Sequence, residues 1–250
     1  MPHETTYVRH ELVQRNLRVR STTRLTPGLL RIVLAGEALA GFISLAPDDH
    51  VKAFFPAADG DPERRDYTVR RFDPVEGTLT LEFALHPEGP GTRWAQSAAP
   101  GAPLTVGGPK KSRIIAPDYD WWLLIGDECA LPAMGRRIEE TAAGIRVISL
   151  AAVPGPEHEL GFTTAGELQA LWVHRPAEAA DDPAPLLAAL ARLPLPPGDG
   201  FVWIAGETRM VKAVAAHMTD VAGHPAAAMK ASGYWVKGQA KGQSEPQPGP

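Results

Sequence analysis

Two kinds of hydrophobic patterning, used one after the other, restrict this chain more than any single motif does. Up to about residue 116, short apolar runs recur at close spacing with little room for helices. Leu17 to Leu25 and Leu29 to Leu34 are parted by Thr26-Pro27-Gly28, a proline–glycine turn. His50 to Phe55 closes on Pro56; Arg65 to Arg70, Thr78 to His86 and Pro103 to Val106 follow. Thr78 to His86 alternates, with Leu79, Leu81, Phe83 and Leu85 facing one way and Thr80, Glu82, Ala84 and His86 the other. About six strands at this spacing predict a small closed antiparallel β-barrel, with a half-open sandwich as the competing shape.

From Asp118 the pattern changes to strand, turn and helix in repetition. Trp121 to Ile125 is a continuous apolar run, suited to a strand covered on both faces of a parallel sheet. It enters Gly126-Asp127-Glu128, and a helix is expected to about Thr141. Ile145 to Ala152, Leu168 to Val173 and Phe201 to Ala205 read as further strands. Ala184 to Leu193 and a stretch ending near Met218 read as helices, the latter with Val211, Val214, Ala215 and Met218 on its buried face. The expectation is a two-domain chain: a β-barrel over residues 1–116, an α/β parallel-sheet domain over 117–238, and a disordered tail over 239–250, rich in Gly, Gln, Pro and Ser.

Composition narrows the function classes. A formal charge of −4 offers no attraction to nucleic acid or an acidic membrane surface. No apolar run approaches a membrane span, and the first residues lack an apolar core of signal-peptide length. One cysteine, Cys129, forms no internal disulfide, which fits a reducing cytoplasm. The eight histidines show no metal-ligand spacing, so no metal site is expected.

Three stretches carry chemistry. In Arg65-Asp66-Tyr67-Thr68, Tyr67 offers a ring for stacking, Thr68 a short hydroxyl and Arg65 a planar guanidinium suited to phosphate. Together they suit a flavin nucleotide, although a solvated strand of alternating charge reads much the same. In Gly89-Pro90-Gly91-Thr92, glycines lead into a short helix with Thr92 as its expected N-cap, an arrangement that aims N–H groups at an anion. Its bland alternative is an ordinary capped turn. Gly126-Asp127-Glu128 and Gly206-Glu207 end two strands of one sheet and share a rim, the usual place for a nucleotide.

Taken together and in order, LTPGLLRIVLAGEALAGF, DDHVKAFFP, RRDYTVRRFD, HPEGPGTRWA, LLIGDECALPAMGRRIE, VWIAGE and SGYWVKG resemble the siderophore-interacting proteins. These are flavin-dependent ferric-siderophore reductases of the ferredoxin reductase-type superfamily. The resemblance spans about Leu17 to Gly238. It implies that Arg65, Asp66, Tyr67 and Thr68, with His86, Gly89, Pro90, Gly91, Thr92 and Trp94, hold FAD. It implies that Gly126, Asp127, Glu128, Ala130, Leu131, Pro132, Gly206 and Glu207 receive NADPH or NADH, and that Tyr234 and Trp235 lie near the flavin. A ferric siderophore, often anionic, would then meet Lys52, Arg70 and Lys237. Arg136 and Arg137, behind the glycine turn, are positioned in sequence to meet a 2′-phosphate.

This chain departs from the family pattern at Cys129, where a small hydroxyl residue is commoner, at Gly91, where alanine is, and at Val236, in place of a basic residue. The function implied is NAD(P)H- and FAD-dependent reduction of ferric siderophores, releasing ferrous iron in the cytoplasm, with the flavin and no protein nucleophile carrying the reaction. A general NAD(P)H:flavin or ferredoxin-type reductase and a non-enzymatic siderophore or flavin carrier are the alternatives. A monomer is favoured.

Overall fold

The computed structural model describes residues 3–56, 60–86 and 89–238, so the expected disordered tail lies outside the described residues. The first half is built from β1 (Thr5–Arg9), β2 (Gln14–Thr26), β3 (Leu29–Ala35), β4 (His50–Phe55), β5 (Glu63–Thr68), β6 (Arg71–Asp73), β7 (Thr78–Ala84), α1 (Pro90–Ser97), β8 (Pro103–Gly107) and β9 (Lys111–Ile115). Seven strands form an antiparallel sheet in the order β5-β4-β8-β2-β3-β7-β6. It curls like a barrel around Leu17, Ile32, Leu34, Val51, Phe55, Leu81 and Phe83. The ladder does not close as expected, because edge strands β5 and β6 do not pair. Between them the chain turns a corner: Val69 N–H donates to Asp49 O at 2.8 Å and Arg70 N–H to Thr80 O at 3.0 Å.

Two further features were not expected. A separate ribbon joins β1 to β9, so the barrel half has more strands than the apolar runs suggested. The alternation of β7 is also misleading, since Thr78, Thr80 and Glu82 are buried along with Leu79 and Leu81. Glu82 is tolerated there because Arg31 and Arg70 hold its carboxylate, Arg31 Nε at 2.9 Å.

The second half contains β10 (Trp121–Asp127), α2 (Leu131–Glu139), β11 (Arg146–Val153), β12 (Glu167–His174), α3 (Ala184–Leu190), β13 (Gly200–Glu207), α4 (Thr208–Ala216) and β14 (Met229–Trp235). The sheet is parallel, in the order β12-β11-β10-β13-β14, so the direction of strand addition reverses at β10. Trp121 to Ile125 is buried along its whole length, as the continuous apolar run requires. Trp122 and Leu124 pack with α2, while Leu123 and Ile125 pack with α3 and α4 on the opposite face. Strand β14, which carries Tyr234 and Trp235, was not expected from hydrophobic pattern. Among the described residues no helix is long and apolar enough to cross a membrane.

The loop over residues 44–49 joins the halves by sending adjacent aspartates in opposite directions. Asp49 Oδ2 accepts from Ser44 Oγ (3.0 Å), Leu45 N–H (2.8 Å), Ala46 N–H (3.1 Å) and Ser112 Oγ (2.6 Å), all within the barrel half. Asp48 reaches the parallel sheet, accepting from Trp203 Nε1 at 3.3 Å and pairing with Lys230. Arg136 of α2 donates to Ser44 Oγ at 2.7 Å and Val69 O at 2.9 Å. Arg70 forms a forked pair with Glu139 of α2, one arm at 2.8 Å.

Candidate cofactor and nucleotide site

Strand β5 carries the guanidinium, the stacking ring and the hydroxyl at Arg65, Tyr67 and Thr68. Tyr67 lies over Phe83, ring centres 4.3 Å apart, and edge-on to Phe55 at 5.9 Å. Burial, above all, pushes its phenol well above the ordinary tyrosine range, so it stays neutral. Arg65 is held in place by Glu63 at 3.2 Å and by Arg64 O at 2.8 Å. Asp66 pairs with Lys52 across the β4–β5 ladder at 2.7 Å. Thr68, at the end of the strand, is buried beside the Tyr234 phenol of β14.

Helix α1 begins beside this strand. Its N-cap is Gly89, at φ +141°, rather than Thr92, with Pro90 in the first turn. Thr92 Oγ1 instead accepts from His86 N–H at 3.1 Å and so holds the preceding segment against the helix. Gly91 is where a side chain would not fit: a Cβ there would lie 1.9 Å from Tyr67 Oη. The phenol is thereby brought against the first turn, whose N–H groups have no acceptor within the helix. On the outer side of α1 a cleft of about 220 Å³ is lined by Phe55, Pro56, Pro90, Arg93, Trp94 and Ser97. A stacking ring, a guanidinium, a glycine-led helix start and an aromatic-walled cleft in succession fit a flavin dinucleotide.

The rim of the parallel sheet meets this strand. His86 Nε2 lies 3.2 Å from Cys129 Sγ, and its ring centre is 5.1 Å from that of Trp235. Burial, the largest effect, depresses the His86 pKa, favouring the neutral ring. Asp127 is wholly buried and ties three strand ends together. It accepts from Cys129 N–H (2.9 Å), Glu207 N–H (2.7 Å) and Trp235 Nε1 (2.8 Å). Its pKa is nevertheless pushed up to about 6, by burial first and then by neighbouring Glu128. Gly206, at φ +140°, makes this possible, because a Cβ there would lie 2.6 Å from Asp127 Cγ.

Several expected ligand contacts turn out to be structural. The Glu207 carboxylate caps α4, accepting from Arg209 N–H at 2.5 Å and Met210 N–H at 3.0 Å. Ala130, Leu131 and Pro132 are buried in the packing of α2, and Gly126 gives room for Ala130, whose Cβ a side chain there would meet at 2.5 Å. Glu128 is paired with Arg175, buried and unforeseen, at 2.8 Å. The three cations expected around the acceptor do not stand free. Lys52 pairs with Asp66, Lys237 with Asp181 at 2.6 Å, and Arg70 is 6% exposed between Glu82 and Glu139. Arg70 thus links the barrel half to α2 through its pair with Glu139. Arg136 and Arg137 likewise do not face the glycine turn: Arg136 enters the barrel interface, and Arg137 stacks on Trp122 at 4.2 Å. The missed residues Asp48, Lys230 and Arg175 carried no local signal, because each is defined by a partner distant in sequence.

Comparison with known proteins settles the lineage. Residues 119–238 match the siderophore-interacting protein family, and residues 18–64 and 56–113 match the siderophore-interacting FAD-binding domain. The chain belongs to the siderophore-interacting protein family. It is 32% identical to an NADPH-dependent ferric-chelate reductase of Escherichia coli, over 91% of this chain and 95% of that one. It is 30% identical to the ferric vibriobactin reductase of Vibrio cholerae, over 73% and 74% of the two chains. The crystal structure of a siderophore utilization protein from T. fusca superposes with a TM-score of 0.88 at 32% identity, covering 95% of this chain and 98% of that one.

Proposed function

We propose that this chain is an FAD-dependent reductase that draws electrons from a reduced nicotinamide nucleotide and delivers them to ferric iron bound by a siderophore, in the cytoplasm. The observation that carries the reading is the meeting of the barrel half with β14, where Thr68 lies beside Tyr234 and the His86 ring is 5.1 Å from that of Trp235. It sets a ring-stacking strand of the FAD-binding half directly beside the nucleotide rim. FAD, when bound, supplies the conversion between a two-electron donor and a one-electron acceptor. Tyr67 and Thr68 would orient its ring system, Arg65 and the first turn of α1 its phosphates, and Trp94 its adenosine side. The reading divides the chain into an FAD half over residues 1–116 and a nucleotide half over 117–238. His86 and Trp235 lie side by side at the junction. Hard-oxygen chelators hold ferrous iron far more weakly than ferric iron, so reduction amounts to release.

The test is anaerobic. FAD-loaded protein mixed with NADH or NADPH should lose its yellow colour, and a ferric siderophore should restore it as a ferrous-specific chelator colours. Ferredoxin and simple ferric chelates run in parallel distinguish a general reductase. Flavin that stays yellow with both nucleotides ends the proposal and leaves a carrier.

A further inference from the structure

Among the described residues, Arg175, Arg209 and Lys237 at the carboxyl rim of the parallel sheet are each paired with a carboxylate of that rim. After β12, Arg175 is 3% exposed and bound to Glu128 at 2.8 Å. In the first turn of α4, Arg209 reaches Asp181 at 3.4 Å, and Lys237, after β14, shares that aspartate at 2.6 Å. Arg136 and Arg137, next in sequence, are turned into the barrel interface and onto Trp122. The segments after β10 and β11 contain no lysine or arginine up to the start of α2 and of β12. Instead, the segment after β11 carries Glu157 and Glu159, with 59% and 35% of their side chains exposed. Its nearest imidazoles are spoken for, His158 beside Glu157 at 3.5 Å and His174 bonded to Glu159 at 2.8 Å.

In a sheet whose order reverses at its first strand, the adenosine ribose falls beyond the second strand, here β11. An acidic side chain there accepts from the ribose 2′-hydroxyl, whereas a 2′-phosphate calls for an arginine. Resting on the nucleotide reading above, we infer that this site prefers NADH to NADPH. The two glutamates after β11 accept from a 2′-hydroxyl and repel a 2′-phosphate, which meets no lysine or arginine in the segments after β10 and β11. This is the opposite of the cofactor named for the Escherichia coli relative.

Calorimetric titration of the FAD-loaded chain with ADP-ribose and with 2′-phospho-ADP-ribose reads the preference without turnover. ADP-ribose should bind at least about tenfold more tightly. The double variant Glu157→Gln and Glu159→Gln should narrow that ratio severalfold, and Glu159→Arg should narrow it further. Equal binding, tighter binding of the phosphorylated ligand, or an unchanged ratio in both variants overturns the preference while leaving the reductase reading intact. Failure of both ligands to bind removes the nucleotide reading as well.

Discussion

At Asp127 two opposing effects act on one carboxylate. Three N–H donors favour the charged form, yet complete burial and Glu128 leave the pKa near about 6, so desolvation wins. The folded value lies above the unfolded one, so the native state binds more protons between about pH 4 and pH 6. Stability therefore falls as pH rises through that window, by about 3 kcal/mol, and levels off above it. Urea melts from pH 4 to pH 8 should show this slope in the wild type. Asp127→Asn should abolish it and cost about 1–3 kcal/mol at pH 7, because an amide cannot accept from all three donors. Lys52 and Lys237 offer a second test. Each keeps a large exposed fraction, 44% and 40%, despite its ion pair, so each can turn to an anionic acceptor at little cost. Lys52→Ala and Lys237→Ala should raise the Michaelis constant for an anionic ferric siderophore severalfold with flavin content unchanged. Unaltered steady-state kinetics in both would remove them from the acceptor site. Residue types at the site were legible in the sequence, but their partners were not. Asp127 and Glu207 read as ligand-facing acids, and only the fold supplies the distant Trp235 and the start of α4 that engage them.

Elements whose apolar runs are long or continuous were read correctly, and those whose stability comes from a neighbour were missed. Strand β10 announces itself because both faces are covered by apolar side chains. Strands β1 and β9 do not, because each gains its place by pairing with the other. Strand β14 is similar: Met229 to Trp235 mixes small, charged and aromatic residues, and its register against β13 holds it. Helix α2 shows the same logic in reverse. Its Arg136 and Glu139 look like an exposed polar face but dock the helix onto the barrel corner at Val69–Arg70. Arg136→Ala should cost about 2–4 kcal/mol, since it strands buried oxygens of Ser44 and Val69. A double-mutant cycle between Arg70 and Glu139 should return a coupling of about 1–3 kcal/mol, read from urea unfolding. A coupling near zero would show that the forked pair only fills space.

For the molecule as a whole, the cofactor should act as a structural element. It contacts residues of the barrel half that the corner and the 44–49 loop already pin to the parallel sheet, so binding should stabilise both halves together. Free FAD at about a hundred times its dissociation constant should add about 2.7 kcal/mol, seen as a rise in melting temperature with one transition. Two separate transitions, with only one shifted, would mean that the contacts of Asp48, Arg136 and Arg70 do not couple the halves.

The β1–β9 ribbon has a consequence during synthesis. Thr5–Arg9 leaves the ribosome roughly a hundred residues ahead of Lys111–Ile115, its pairing partner among the described residues. At elongation speeds of about 5–20 residues per second, that segment waits on the order of 5–20 s as an unpaired edge. Its exposed Tyr7 and charged Arg9 then matter for a nascent chain that must stay soluble until its mate arrives.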